Sequence, residues 1–169
     1  MNISEFEDAY EDKEIIRGAI LATPVSELPL REPIVVDADS TVVAAVNAMN
    51  EHRTGCVLVQ RGGKLTGIFT ERDVLTKVIF RNNSNSMKVD DVDTNNPETL
   101  EATATIAFAL NKMSVGGYRH IPIVDRNGKP AGVLSVRDIV DFLVELFPDG
   151  VLNLPPSPDK AIAKSLDGG

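Results

Sequence analysis

Apolar positions along this chain follow two periods, and the order of the periods occurs twice. Ile34-Val35-Val36 reads as a short strand. A helix is predicted next, capped by Asp39 or Ser40, with Val42, Val46 and Met49 on a stripe near the period of about 3.6 residues. Two strands follow, at residues 56–59 and 65–69, joined by a tight turn at Gly62-Gly63. A further helix is expected over residues 71–80. Downstream the grammar returns. Thr103 takes the capping position, and Ile106, Leu110 and Met113 form the stripe. Strands at 121–124 and 131–134 flank Asn127-Gly128, a hairpin dipeptide that favours left-handed backbone. A last helix is expected over 136–147. Strand, helix, strand, strand, helix, twice over, predicts an α/β protein with a three-stranded sheet in each repeat.

The residues repeat as well as the pattern. Val59 and Val124, Gly63-Lys64 and Gly128-Lys129, Gly67 and Gly132, and Arg72-Asp73 and Arg137-Asp138 all match at one spacing. Upstream, Pro33 matches Pro97, Thr41 matches Thr105, Asn47 matches Asn111 and Met49 matches Met113, at a spacing one residue shorter. An extra residue near Gly116-Gly117 accounts for the change. A repeated unit that cannot bury its apolar face alone stacks on its copy. Outside the repeats, residues 1–13 are polar and read as loose, and 14–21 as a short helix ended by Thr23-Pro24. The expected divisions are an N-terminal segment 1–23, repeat 1 at 24–81, a connection rich in Asn, Ser and Asp at 82–96, repeat 2 at 97–147, and a tail at 148–169. Pro148 closes the last helix, and Pro155-Pro156-Ser157-Pro158 gives the tail a disordered composition.

Composition narrows the function classes. The 169 residues carry a net charge of −8, and no Lys/Arg run offers a phosphate-backbone face, which argues against nucleic acid. A local basic pocket for one small anion stays open. The lone cysteine, Cys56, cannot form an internal disulfide and suits a reducing compartment. The acidic start is opposite to a signal peptide, and no apolar run approaches the roughly 18 residues of a membrane span. A cytoplasmic, membrane-free protein is expected.

Thr70-Glu71-Arg72-Asp73 and Ser135-Val136-Arg137-Asp138 each stand at a strand-to-helix junction. Ser/Thr-x-x-acid before an apolar run is a capping box, in which hydroxyl and carboxylate satisfy free amides. The same geometry can serve a ligand. Helix N-termini favour anions, an aspartate there can accept hydrogen bonds from ribose hydroxyls, and Arg72 or Arg137 alongside can attract phosphate.

The stretch 119–138, Arg-His-Ile-Pro-Ile-Val-Asp-x-x-Gly-x-x-x-Gly-Val-Leu-Ser-x-x-Asp, resembles the cystathionine β-synthase (CBS) domain, and the two copies resemble a CBS pair, or Bateman module, over residues 24–147. That resemblance implies an α/β fold of two β-α-β-β-α repeats packed about a pseudo-two-fold axis with two clefts between them. It implies a non-enzymatic sensor of an adenosine-containing ligand (AMP, ADP, ATP or S-adenosylmethionine), with no required cofactor. Carried onto this chain, Asp138 would hold ribose in one cleft and Asp73 in the other, helped by Ser135 and Thr70. Val35, Val36, Cys56, Val57 and Leu58 would form the adenine pocket facing Asp138. Thr99, Leu100, Ile121 and Pro122 would form the pocket facing Asp73. Arg119 and His120 match the family's phosphate-reaching basic pair. Repeat 1 departs from the pattern, because Thr54-Gly55-Cys56-Val57 stands where repeat 2 has Arg119-His120-Ile121-Pro122. The clefts are therefore expected to be unequal, with Arg53 as the remaining phosphate partner in repeat 1.

Other chemistry is poorly supported. His52, His120 and Cys56 lack zinc spacing. Cys56 reads as a small strand hydrophobe, with redox sensing as its rival role. The Gly62-Gly63 and Gly116-Gly117 pairs lack the phosphate-loop pattern, and no nucleophilic triad can be assembled. The last helices are more apolar than one core requires, through Val74, Leu75, Val78 and Ile79 in one and Ile139, Val140, Leu143, Val144 and Phe147 in the other. A homodimer acting on another protein in trans is the expected assembly. A ligand-free dimerisation or interaction module is the alternative.

Overall fold

The computed structural model describes the backbone of residues 3–81 and 86–146, and their side chains from Lys13 onward. The expectations for Phe147, Pro148 and the tail lie outside the described residues. The chain opens with a helix, α1 (Ile3–Ala22), much longer than the segment 14–21 predicted and extending over residues read as loose. Its end at Thr23-Pro24 is as expected.

In repeat 1 the elements are β1 (Val35–Asp37), α2 (Val42–Glu51), β2 (Cys56–Arg61), β3 (Lys64–Thr70) and α3 (Glu71–Asp73), which continues as a π-helical stretch, Val74–Val78. After a short strand β4 (Thr94–Asn95), repeat 2 gives β5 (Leu100–Glu101), α4 (Ile106–Gly116), β6 (His120–Val124), β7 (Pro130–Ser135) and α5 (Val136–Leu146). The sheets run β1-β2-β3-β4 and β5-β6-β7, with the first pair in each parallel and the later pairs antiparallel. A three-stranded sheet per repeat holds for the second; β4 adds a fourth strand to the first.

Local chemistry explains most of these boundaries. Both capping expectations were off by one or two residues. Thr41 caps α2 by accepting from the Ala44 N–H at 3.1 Å, and Thr105 caps α4 through the Phe108 N–H at 3.4 Å. Asp39 instead takes Lys88 Nζ at 2.6 Å and Arg61 Nη1 at 3.3 Å. Thr41→Ala and Thr105→Ala are each expected to cost about 1 kcal/mol in urea unfolding, and loss-free variants would place the caps elsewhere. In the first hairpin Gly62 (φ 60) and Gly63 (φ 78) are both left-handed, as a two-residue type I′ turn requires. In the second only Gly128 (φ 76) is left-handed. Asn127 keeps ordinary backbone because its N–H, with that of Lys129, donates to the Asp125 carboxylate at 2.8 and 2.9 Å.

Packing interleaves the repeats. Residues 82–96 are more than a connection, for Met87, Val89 and Val92 are buried in the core of repeat 1 beside Val57, Val59 and Phe69. Conversely, Val25 and Leu28, which precede the first strand of repeat 1, are buried in the core of repeat 2 beside Ile106, Ile121, Ile123 and Leu134. Backbone bonds fix both exchanges. The Val25 N–H donates to the Ala104 carbonyl and the Ser26 N–H to that of Ala102, both at 2.8 Å. The Val42 N–H donates to Met87 and the Val89 N–H to Ser40, both at 2.9 Å. Each repeat's core is thus completed by residues that precede the first strand of the other. A third apolar cluster sets Val133 of the second sheet against Cys56, Leu58 and Ile68 of the first. The repeats cannot separate without exposing all three clusters, and two clefts are left between them.

Candidate ligand-binding clefts

Strand β7 ends at Ser135 and α5 begins at once, so the hydroxyl and the carboxylate of Asp138 meet across one turn. Asp138 Oδ2 accepts from the Ser135 N–H at 2.7 Å and its Oγ–H at 2.6 Å, while the Asp138 N–H donates back to Ser135 Oγ at 3.2 Å. Thr70 and Asp73 repeat the arrangement at 2.9, 2.7 and 3.3 Å. Both capping boxes read from sequence are therefore formed. Both aspartates are buried, at 4% and 6% exposure, and each lines a cleft. In each box the cap itself uses one carboxylate oxygen, Oδ2.

The Asp138 cleft has a volume of about 730 Å³. Ser135, Arg137 and Cys56 line it as expected, together with Ile34, Thr54 and Gly55. Arg31, Arg53, Arg119 and Arg137 bring four guanidinium groups against the carboxylates of Glu32, Glu71 and Asp138. On a chain of net charge −8 this is a local excess of positive charge. Arg31 was not foreseen. It bridges to Val133 at the edge of β7, which carries its Nε to 3.8 Å from Asp138 Oδ1.

The Asp73 cleft is smaller, about 390 Å³, and offers Arg72 and Arg119 against Glu71, Asp73 and Glu98. Thr70 lines it as expected, and Arg72 Nη1 donates to the Gly117 carbonyl at 3.0 Å. Its remaining walls include Thr94, Asn96, Pro97 and Tyr118, none of which the sequence singled out.

The predicted apolar pockets need correction. Val57 and Leu58 are wholly buried, Val36 packs on the core of repeat 1, and Val35 joins the cluster between the sheets; none lines the Asp138 cleft. Leu100, Ile121 and Pro122 are likewise buried and, with Thr99, stand outside the lining of the Asp73 cleft. Val57, Leu58, Ile121 and Pro122 lie on the inner strands β2 and β6, and side chains buried in the cores there have no surface to offer a ligand. The walls come from strand ends and the segments that cross between repeats.

Arg119 and His120 line both clefts rather than one. Gly55 occupies the repeat 1 position equivalent to His120 and lies against the His120 ring, where a Cβ would make ordinary contact at 3.4 Å. Burial, and then the Arg119 guanidinium, hold the His120 imidazole below its ordinary value. It is therefore largely neutral at neutral pH, and the permanent cation of the pair is Arg119. Burial pushes the Cys56 thiol up to about 12, so it stays protonated and unreactive, which does not favour a redox role. Among the described residues no cluster of three His, Cys, Asp or Glu side chains could hold a metal ion, and no helix is long and apolar enough to cross a membrane.

The structure is thus a tandem module of two interleaved α/β repeats, with a capped, buried aspartate lining each of two clefts. A family model described as the CBS domain matches residues 25–79 and again 89–145. The chain belongs to the CBS domain family, as a tandem pair. CBSCBSPB3, a CBS domain-containing protein of Arabidopsis thaliana, is 30% identical over 145 residues, covering 75% of this chain and 26% of its own length. A 17.7 kDa protein of the bps2 3′ region of Acidianus ambivalens is 30% identical over 127 residues, covering 75% of this chain and 76% of its own. This chain thus spans about a quarter of the Arabidopsis relative. Among solved structures, the CBS domain protein PAE2072 from Pyrobaculum aerophilum, complexed with AMP, aligns with a TM-score of 0.66 at 26% identity over 73% of this chain and 98% of that one.

Proposed function

We propose that the chain is a non-enzymatic regulatory module that senses an adenosine-containing ligand, of the class AMP, ADP, ATP or S-adenosylmethionine, in the Asp138 cleft. One observation carries this reading. Asp138 is buried and capped through Oδ2, while among the described residues Oδ1 meets only Arg31 at 3.8 Å, beyond hydrogen-bond distance, in a cleft lined by four arginines. A carboxylate oxygen suits a ribose diol, and guanidinium groups suit phosphate. The AMP complex of the Pyrobaculum aerophilum relative supports the ligand class.

The module acts in trans as a cytoplasmic homodimer. Supporting the dimer are Leu75 at 61%, Ile79 at 54% and Phe80 at 83% exposure on one side of repeat 1, a patch that a partner would cover. The signal is a change in how repeats or subunits sit, limited by the ligand's differential affinity for the two states.

A thermal-shift panel of AMP, ADP, ATP, S-adenosylmethionine, NAD and GTP tests the reading. A ligand at ten times its dissociation constant is expected to add about 1.4 kcal/mol of stability. Asp138→Ala should remove that response and lower the unliganded protein by only a cap's worth, about 1 kcal/mol. A flat panel, checked by calorimetry at high ligand, would leave the ligand-free interaction module in its place.

A further inference from the structure

Two matching aspartates would suggest two equivalent sites, yet the repeats diverge a single helical turn later. Lys77 stands four residues after Asp73, and Phe142 four after Asp138. Lys77 Nζ lies 2.7 Å from Asp73 Oδ1 and also donates to the Asp93 carbonyl at 3.0 Å. Because Thr70 already occupies Asp73 Oδ2 with two donors, both oxygens of this carboxylate are engaged. Phe142 has no such reach and packs against the core of repeat 2. The oxygen that Lys77 holds in one repeat is the oxygen left without a hydrogen bond in the other.

We infer that Lys77 is a specificity-determining residue that closes the Asp73 cleft to a vicinal diol and leaves the Asp138 cleft as the single adenosine site of the chain. This deepens the sensing reading and rests on it. A ribose diol approaching Asp73 offers two neutral hydroxyl donors. It must compete with an ammonium whose bond is charge-assisted, and such bonds are roughly twice as strong as neutral ones. The ammonium is also anchored at a second acceptor, the Asp93 carbonyl, so moving it breaks two bonds. Charge works in the same direction for the phosphate end. The Asp73 cleft is lined by two arginines and three carboxylates, one of them already paired with Lys77, whereas the Asp138 cleft is lined by four arginines and three carboxylates, with Arg137 also facing Asp141 at 3.6 Å.

Isothermal titration with AMP separates the cases. Wild type is expected to bind one AMP per chain. Asp73→Ala should keep that affinity within about twofold, and Asp138→Ala should lose about tenfold or more. Lys77→Met, which keeps the stem and removes the charge, should add a second equivalent that Asp73→Ala then removes. Two equivalents in wild type, a clear loss in Asp73→Ala, or an unchanged single equivalent in folded Lys77→Met would each overturn the role of Lys77 and leave the sensing reading standing. Should Lys77→Met fail to fold by circular dichroism, the Asp73→Ala titration still decides. No heat from wild type at millimolar AMP, ADP, ATP or S-adenosylmethionine would overturn the sensing reading and this inference together.

Discussion

Gly67→Ala is expected to destabilise the protein by about 2–3 kcal/mol in urea unfolding, while Gly132→Ala, the same change at the equivalent position of the other repeat, stays within about 0.5 kcal/mol of wild type. Neither glycine has a left-handed backbone, so an alanine suffers no conformational strain at either position. Loss of unfolded-state freedom would even favour alanine by about 0.4–1 kcal/mol at both. The difference is space. A Cβ on Gly132 would meet the Arg31 carbonyl and Leu30 at 3.5 Å, which is ordinary contact. A Cβ on Gly67 would drive into the carboxylate of Asp93, standing 2.7 Å from its Cγ and closer still to Oδ2, with the Thr94 carbonyl at 3.3 Å. Asp93 is 7% exposed and β4 pairs with β3 at this point, Gly67 opposite Asn95, so the carboxylate has little room to retreat. Adding Asp93→Ala should restore most of the loss, giving a double-mutant coupling of about 1–2 kcal/mol. If Gly67→Ala proved as mild as Gly132→Ala, the Asp93 side chain would have to leave its seat at little cost.

That pair of glycines shows what the sequence made legible and what it did not. The repeat spacing put Gly67 and Gly132 in correspondence, and the two periods of apolar residues located the strands and helices of both repeats. What the matching hid was the difference between the segments lying across them, since Asp93 and Thr94 cover one glycine and Leu30 and Arg31 the other. Those segments are short apolar runs without a period, so the pattern gave no reason to assign Val25 and Leu28 to repeat 2, or Met87, Val89 and Val92 to repeat 1. The repeat spacing held the signal, for Val25 matches Val89 and Leu28 matches Val92, and both pairs are buried.

The same limit governed the site. Ser/Thr-x-x-Asp is a local motif, and its capping geometry followed from sequence alone. Cleft walls are tertiary. Residues carried over as walls from the family resemblance, such as Leu58 and Ile121, are apolar strand residues that are buried in the cores. Arg31 is a wall because its segment crosses to β7, and Glu71 and Tyr118 are walls because they stand at the ends of β3 and β6. Caps failed for a related reason. Asp39, Ser40 and Thr41 have similar capping preference, and the choice among them was made by Lys88, a residue far along the chain that engages Asp39.

Asp93→Asn is expected to stabilise the protein by about 2 kcal/mol at pH 8 and to be nearly neutral at pH 4. Both carboxylate oxygens of Asp93 are buried without a hydrogen-bond partner. Burial first, and the neighbouring Asp90 carboxylate second, push its pKa up to about 6 from 3.8, with Asp73 adding to the rise and Lys77 opposing it. Lys77 is near but donates to the Asp93 carbonyl and pairs with Asp73, so its charge is already shared. The folded state therefore holds its proton more tightly than the unfolded chain does. For an acid of raised pKa, the stability contribution is complete below about pH 3.8 and disappears as pH rises through about 6. A shift of roughly two units, at about 1.4 kcal/mol each, sets a ceiling near 3 kcal/mol; an unpaired buried amide in the variant returns some of it. Urea melts of wild type and Asp93→Asn from pH 4 to pH 8 give the difference directly, and subtracting one profile from the other cancels every group the two proteins share. The gap should open between about pH 4 and pH 6 and then stay level. A gap that is constant across the range, or one that opens as the pH falls, would mean that Asp93 is ionised and partnered in the folded protein, and the crowding predicted for Gly67→Ala would then involve a carboxylate with somewhere else to go.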